Sequence, residues 1–447
     1  MNTFALLVCV TLLVFLAIQA VAALAFVRAL RRPRPPLLPD EDCPKAAVLL
    51  SVRGDDPFLA RCVEGLLQQD YPCYAVRIVV DHVEDPAWET IAQVVRRHPG
   101  SPVHVEPLAE RLGTCTLKAN SLLQAVAGLD ESDTSSQPVC GNSAPISARS
   151  GSTVSAAALT PYEVFAILDA DVIPHRTWLR ELVGPFRDGQ VAATTGNRWY
   201  MPAQPTLASL VRYVWNAGAA VQMHFNRCTW GGGMAVRARL FRETDLRERW
   251  RNAVASDTAL DTAVRQVGGK VAFVPTLMSI NRESCTLGSF WRFMQRQLLH
   301  SRLKGRDWSI ILFHGSTTLL AQLAAAVLLT GAGVQGQGRA AALAGGGLAV
   351  YACGTFALLG LLEAAVRKAV RDRGESTQWL APHAVWRLLL AVPLAQFLYT
   401  AALPAVSFLR RVTWRGVDYR IEGRGVRLVR YQPYRRHSRA EGACHSL

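Results

Sequence analysis

Residues 4–27 carry no charged side chain, and this apolar segment limits the chain to architectures that include a membrane. A helix of that length can cross a hydrocarbon core of about 30 Å. A signal peptide is the alternative, but the segment is longer than a usual signal core and no basic residue precedes it. Arginines follow at positions 28, 31, 32 and 34, so the positive-inside rule predicts that the chain is cytosolic from there. We predict a transmembrane anchor at residues 1–28 and a proline-rich linker at 29–43.

The C-terminal half contains further membrane segments. Residues 284–307 mix aromatic and basic side chains and predict an amphipathic helix in the membrane interface. A transmembrane region at 308–409 contains three apolar segments, at residues 309–333, 338–365 and 384–409. Three full crossings would put the arginine-rich tail at 410–447 outside, against the charge rule. We therefore expect Pro393 to make the last segment re-entrant or interfacial, which keeps the tail cytosolic.

The net charge limits the possible binding partners, and the cysteine spacing bears on metal and disulfide sites. The formal net charge of +15 predicts an anionic partner, which could be nucleic acid, a lipid surface or a phosphorylated substrate. The membrane segments favour the lipid bilayer and disfavour nucleic acid. None of the ten cysteines falls in a CxxC pair, so we expect free thiols and neither a zinc site nor a disulfide framework. No feature indicates an obligate protein partner.

Residues 44–283 alternate short apolar runs with helical patterns. Strands are predicted at residues 46–52, 76–81, around 104, 164–168 and 191–195, and helices at 57–69, 87–98, 117–126 and near 176–187. This alternation predicts an α/β domain whose mostly parallel sheet is covered by helices on both faces. A ligand crevice is expected at the carboxyl ends of the strands. Residues 130–160, rich in Ser, Thr, Gly and Ala, are predicted to be a flexible insert.

Acidic residues stand at the predicted strand and helix ends. The strand at 164–168 ends in Asp169 and Asp171, which point the same way because they are two residues apart on an extended segment. Two such carboxylates attract a hard divalent cation that bridges phosphate oxygens, although a solvated turn is the alternative. Asp81 ends an earlier strand. Asp257 opens a helix, either as a cap together with Ser256 or as a general base for an acceptor hydroxyl.

The order of these motifs resembles family 2 glycosyltransferases of the GT-A fold, and within them the ceramide glucosyltransferase-like branch. The motifs are the strand ending in Asp81, Leu-Lys118-Ala-Asn, Leu-Asp169-Ala-Asp171, Trp230 followed by three glycines, and Ser-Asp257. Residues 51–57 resemble the opening of that branch, with Arg53 before a glycine. Residues 414–419 (WRGVDY) resemble the end of bacterial lipid-directed members, including hopanoid-associated ones. The resemblance covers roughly residues 44–430.

The resemblance implies an α/β GT-A domain, Rossmann-like and of the nucleotide-diphospho-sugar transferase type, joined to transmembrane helices. It implies inverting transfer of one sugar from a UDP-sugar, of glucose type, to a lipid hydroxyl with Mg²⁺ or Mn²⁺. Asp81 and Asp169 would contact the nucleoside, Asp171 the metal, and Lys118, Arg53 and Arg296 the donor. Asp257 would be the base. The acceptor side would comprise Trp230, Gly231, Gly232 and His300.

One departure from the family pattern bears on the product. The family ends its catalytic set with Q/R-x-x-R-W, but here Arg296 is followed by Leu299 and His300 in place of the last Arg and Trp. The resemblance implies that processive polysaccharide synthases use this Trp to bind the growing chain. Its loss favours transfer of a single sugar. A processive synthase, a non-catalytic nucleotide-sugar-binding membrane protein and a transporter remain as alternatives.

Overall fold

The computed structural model describes residues 1–130, 139–140, 162–305, 308–377 and 382–434. Most of the insert predicted at 130–160 lies outside the described residues, and so does the end of the tail from residue 435.

The α/β domain predicted at residues 44–283 is built on one sheet whose order is β3-β2-β1-β5-β7-β6-β8. Its strands are β1 (Ala46–Val52), β2 (Cys73–Val80), β3 (Val103–Pro107), β5 (Val164–Leu168), β6 (Val191–Tyr200), β7 (Gly233–Arg237) and β8 (Lys270–Asn281), while β4 (Val139–Cys140) pairs with β2. The strands from β3 to β5 are parallel, but β7 is antiparallel to both β5 and β6. Because β8 is again parallel to β6, the prediction of a mostly parallel sheet holds except at β7 and the short β4, and the sheet is mixed.

Helices cover both faces of this sheet. They are α2 (Leu59–Leu67), α3 (Pro86–Arg97), α4 (Leu117–Asp130), α5 (Trp178–Val183), α6 (Leu207–Asn226), α7 (Leu240–Glu243), α8 (Leu246–Arg251) and α9 (Ser256–Gln266). Alternate residues of a strand enter opposite cores: Phe165 and Ile167 pack in one cluster, and Val164, Ala166 and Leu168 in the other. A strand buried on both sides explains why residues 164–168 are continuously apolar.

Among the described residues, four helices are long and apolar enough to cross a membrane, which indicates a membrane protein. They are α1 (Asn2–Arg31), α11 (Trp308–Val334), α12 (Gly338–Arg371) and α13 (Pro382–Ser407). In α12, Gly347 and Gly354 lie against Cys9 and Leu16 of α1, where a Cβ would come within 2.9 and 2.6 Å of those side chains. Small residues thus let these two helices approach closely.

Helix α13 is continuous although Pro393 and Pro404 lie inside it. It packs beside α10 (Leu287–Lys304), whose Arg302 donates hydrogen bonds to the carbonyls of Val406 and Leu409 at 2.5 and 2.9 Å. Near the other end of α13, Arg387 donates to the carbonyl of Pro205 at 3.2 Å. The α/β domain therefore contacts the first turns of α13, and α10 contacts its last turn.

The tail forms a three-stranded antiparallel sheet, which we call the tail sheet: β9 (Arg411–Trp414), β10 (Val417–Glu422) and β11 (Gly425–Tyr431). The tail sheet packs on the α/β domain at the loop before α4. The amide of Leu428 donates to the carbonyl of Gly113 at 2.8 Å, and the buried Tyr419 hydroxyl accepts from the amide of Leu117 at 3.1 Å.

The cysteines depart from expectation at one position. Cys73 is disulfide-bonded, and in the sheet it lies opposite Cys140. The other described cysteines whose side chains are placed are free thiols: Cys9, Cys43, Cys62, Cys115, Cys228, Cys285 and Cys353.

Candidate active site

Asp169 and Asp171, which we call the acid pair, lie at the carboxyl end of β5, in the turn that follows it. The amide of Asp169 donates to the carbonyl of Gly232 at 3.3 Å, and the amide of Val172 donates to the carbonyl of Asp169 at 3.1 Å. Asp171 is buried. Burial raises the pKa of the Asp171 carboxyl to about 6, against the opposing effect of the neighbouring Arg198. Asp171 is therefore desolvated, whereas the side chain of Asp169 remains 30% exposed.

Lys118 connects the acid pair to the loop Trp230–Gly233, which we call the glycine loop. It lies in the first turn of α4, and its Nζ is 2.5 Å from Asp169 Oδ1 and 2.9 Å from the carbonyl oxygen of Gly231. The loop leaves little room: a Cβ at Gly232 would be 2.6 Å from Asp169 Oδ2 and 2.3 Å from the Trp230 ring. Glycine is therefore required for the loop to approach the acids this closely.

Asp257 lies on the other side of the same loop. The amide of Gly231 donates to Asp257 Oδ2 at 2.9 Å, while no described residue bonds to the buried Oδ1. The cap of α9 is Ala255, without a side-chain hydrogen bond, so neither Ser256 nor Asp257 is the N-cap that the sequence allowed. Asp257 instead directs its carboxylate at the glycine loop.

Arg198 is a site residue that the sequence analysis missed. Its Nη2 is 2.7 Å from Asp171 Oδ1 and 3.6 Å from Asp169 Oδ2, and its guanidinium lies 5.1 Å from the centroid of the Trp230 ring. The predicted strand stopped at residue 195, whereas β6 continues to Tyr200 with every residue buried. An arginine just beyond a short apolar run was the available signal.

Asp81 and Arg53 form a second cluster, at the contact with the tail sheet. Asp81 is 2% exposed and pairs with Arg53, with Arg111 Nε at 3.4 Å, and with the Tyr431 hydroxyl at 2.9 Å. Arg53 also donates to the carbonyl of Arg415 at 2.8 and 3.0 Å. The sequence placed Asp81 and Arg53 on the donor side but did not pair them with Arg111 or Tyr431.

Helix α10 brings Arg296 and His300 to the site. Burial, together with the nearby Arg415 and Arg292, lowers the pKa of Arg296 to about 10. Burial also lowers the pKa of His300; the Asp257 carboxylate opposes this, while Arg296 and Lys118 add to it. His300 therefore lies within electrostatic range of the base and the lysine, on the side where the sequence predicted the acceptor.

Comparison with known proteins decides the family. Residues 44–299 match the family described as glycosyltransferase like family 2. The chain belongs to this family. It is a glycosyltransferase with the predicted GT-A fold, which is confirmed with a mixed central sheet and apolar helices long enough to span a membrane.

This glycosyltransferase also resembles individual proteins. It is 34% identical over 89 residues to a ceramide glucosyltransferase of Pyricularia oryzae, which is 19% of this chain and 18% of that protein. The chain thus matches less than a fifth of that curated relative. A mannosyltransferase of Pyrobaculum calidifontis in complex with GDP-Man and Mn²⁺ superposes with a TM-score of 0.46 at 18% identity, covering 82% of this chain and 99% of the other. Glucosyl-3-phosphoglycerate synthase of Mycobacterium tuberculosis with Mn²⁺, UDP and phosphoglyceric acid gives 0.34 at 11% identity, covering 60% and 84%.

The acid pair of this glycosyltransferase fits a divalent cation. The Arg198 nitrogen lies near one oxygen of each acid, so both carboxylates face a position where positive charge is stabilised. Carboxylate oxygens are the ligands that Mg²⁺ and Mn²⁺ prefer. A second group of potential ligands, Asp81, His82 and Asp85, fits less well. Asp85 there accepts from the amides of Gly54 and Ala87 as the cap of α3, and Asp81 is paired with Arg53.

Proposed function

We propose that this enzyme transfers one sugar from a UDP-sugar, of glucose type, to the hydroxyl of a membrane lipid, with inversion at the anomeric carbon. The ceramide glucosyltransferase relative supports both the donor type and the lipid acceptor. The chain's own apolar helices support an acceptor that is reached from the bilayer.

The observation that carries the proposal is the bridge formed by Gly231. Its carbonyl oxygen accepts from Lys118, and its amide donates to Asp257 Oδ2. One residue therefore fixes the residue proposed to hold the donor relative to the residue proposed as the base. Fixing two reactants in this way is a large part of what an enzyme contributes to a two-substrate reaction.

The chemistry follows from this arrangement. Asp257 Oδ1 takes the proton of the acceptor hydroxyl while that oxygen bonds to the anomeric carbon and the bond from this carbon to the diphosphate breaks. Lys118 stabilises the negative charge that develops on the departing UDP. A divalent cation held by Asp171, with Asp169 beside it, would neutralise more of that charge. With one base and no carboxylate nucleophile in the proposed set, displacement occurs once and the configuration inverts.

The acceptor is proposed to enter beside α10. Trp230, Gly231, Gly232 and His300 would border it, and α13 packs along the same helix with Trp386, Leu389 and Phe397 about half exposed. Exposed apolar side chains of this size are suited to contact with lipid. His300 in place of a chain-binding Trp supports the transfer of one sugar. The catalytic domain and the tail sheet are proposed to lie together on the cytosolic side.

The test is a donor screen on membranes that contain the chain. UDP-glucose, UDP-galactose, UDP-GlcNAc and UDP-glucuronate are supplied with Mg²⁺ or Mn²⁺, and the extracted lipids are read by mass spectrometry. We expect one lipid class to gain one hexose mass, and Asp171→Ala and Asp257→Asn to remove this product. Asp245→Asn, a substitution in an exposed surface ion pair, is the matched control and should retain it.

Other products would select the alternatives. A ladder of sugar masses would indicate a processive synthase. No product from any donor, with UDP still bound, would indicate a non-catalytic nucleotide-sugar-binding protein.

A further inference from the structure

In this structure the acid pair already contacts a positively charged side chain of the protein, that of Arg198. Arg198 Nη2 makes a 2.7 Å ion pair with Asp171 Oδ1 and lies 3.6 Å from Asp169 Oδ2. Asp169 makes its second pair with Lys118. Two carboxylates thus face two cationic side chains, and the group carries no net charge.

Arg198 is a built part of this site. The residue is 8% exposed and lies within the fully buried strand β6. Its amide donates to Asn197 Oδ1 at 2.7 Å, and Asn216 Nδ2 donates to its carbonyl at 2.9 Å. The guanidinium lies over the Trp230 ring and 3.4 Å from the Tyr200 hydroxyl. The backbone is therefore fixed, and only rotation about the side-chain bonds can move the guanidinium.

Arg198 and a divalent cation would compete for the Asp171 carboxylate, since Arg198 already contacts its Oδ1. A metal bound to Asp171 at about 2.0–2.6 Å would place its charge next to the guanidinium, because both would lie against the same carboxylate. Like charges that close repel strongly in a buried site, so a metal there disfavours the present position of Arg198.

We propose that Arg198 is the resident counter-cation of the acid pair, which a divalent cation must displace before the donor is held for transfer. The displaced guanidinium then lies beside the metal position, where the diphosphate of a nucleotide-sugar supplies the anion that it has lost. Arg198 makes metal binding weak without nucleotide and strong with it. This inference rests on the proposed role of Asp171 as a metal ligand.

The test measures metal binding and not turnover. The purified full chain in detergent is titrated with Mn²⁺ without nucleotide, and free Mn²⁺ is read by electron paramagnetic resonance. Removing the competing cation in Arg198→Gln should tighten Mn²⁺ binding about tenfold or more, and Arg198→Lys should have a smaller effect. Arg249→Gln, which breaks an exposed ion pair with Asp245 at 2.7 Å, is the matched control and should bind Mn²⁺ as the wild type does.

A second readout covers the case in which Arg198→Gln weakens the fold. Leaving Asp171 buried without its partner should lower Tm without metal, and Mn²⁺ should raise the Tm of the variant more than that of the wild type. Unchanged or weaker Mn²⁺ affinity in Arg198→Gln, or a Tm rise no larger than in the wild type, would overturn the proposal for Arg198. If Asp171→Asn and the wild type bind Mn²⁺ equally well with UDP present, the metal-ligand role of Asp171 fails instead, and the inference fails with it.

Discussion

At the scale of single residues, Asp257 has one oxygen that is fixed and one that is available. Oδ2 accepts from the Gly231 amide, and no described residue bonds to Oδ1. In Asp257→Asn the Oδ2 contact can persist through the amide oxygen, but the side chain no longer accepts a proton. We expect turnover to fall by about 10²–10⁴-fold, since that is the usual contribution of a general base.

Donor binding distinguishes loss of the base from loss of the fold. UDP affinity of Asp257→Asn, measured by calorimetry, should stay close to that of the wild type, and Asp245→Asn should keep both turnover and affinity. Near-normal turnover of Asp257→Asn would show that another group takes the proton.

Gly232 provides a steric prediction at the same site. A methyl group there would meet the Trp230 ring and Asp169 Oδ2, so Gly232→Ala must displace one of them. We expect a loss of transfer of at least about tenfold, because small misplacements of reacting groups are costly. Gly218→Ala in α6 is the control, since nothing lies within 4 Å of its Cβ position. Equal activity of the two variants in the lipid assay would contradict this account of the loop.

At the scale of elements, the tail sheet completes the second cluster. The Tyr431 hydroxyl donates to Asp81 at 2.9 Å and accepts from Arg111 at 3.1 Å, and the guanidinium groups of Arg53 and Arg111 lie 5.1 and 4.2 Å from the centroid of its ring. Tyr431→Phe keeps the ring but leaves the buried Asp81 carboxylate with one donor fewer. We expect the tail sheet to be held less tightly by about 1–2 kcal/mol.

Limited proteolysis measures this effect directly. Tail cleavage in Tyr431→Phe should be about fivefold or more faster than in the wild type, since it tracks the population of the undocked state. Tyr434→Phe is the control, because its ring packs over Gly54 and the substitution leaves that ring in place. Cleavage of Tyr431→Phe at the wild-type rate would mean that the hydroxyl does not hold the tail sheet.

The same elements show what local sequence can and cannot predict. Lys118, Asp169 and Asp257 were correctly placed at helix starts or strand ends, because the ends of apolar runs and the starts of helical patterns mark those positions. Their approach to the glycine loop depends on β7 running antiparallel beside β5. A short apolar run predicts a strand but does not indicate whether that strand is parallel or antiparallel to its neighbour. Arg198 was missed because β6 continues through Gly196 and Asn197, residues that ordinarily end a strand.

At the scale of the whole molecule, contacts between segments far apart in the sequence bear on the second cluster and on the membrane side of the tail, which sequence patterns alone left open. Asp81 and Tyr431 are 350 residues apart, and no local pattern could have paired them. Pro393 was expected to make the last apolar segment re-entrant or interfacial, and α13 is a continuous helix through this proline. The freed backbone groups of a proline need only local compensation, so a helix can continue through it. The side on which the tail lies must therefore be argued from packing.

That packing requires an even number of membrane crossings between α10 and the tail sheet. The tail sheet contacts the catalytic domain through Arg53, Asp81 and Leu117, so both must lie on one side. Helix α12 runs parallel to α1, with Gly347 against Cys9 and Gly354 against Leu16. Helix α11 directly precedes α12 in the chain. We therefore predict that α11 crosses the bilayer and that α12 crosses back.

We predict that helix α13 is the segment that does not cross. Arg387 in its first turns contacts the catalytic domain, and Arg302 of α10 binds the carbonyls at its last turn, as expected for a helix that lies along these elements at the membrane surface. Epitope tags after residues 336, 376 and 434 test this arrangement. On intact cells we expect only the tag after 336 to be accessible to antibody, with the other two exposed after permeabilisation. If the tag after 434 were accessible on intact cells while that after 376 was not, α13 would cross, and the tail sheet could not contact Asp81.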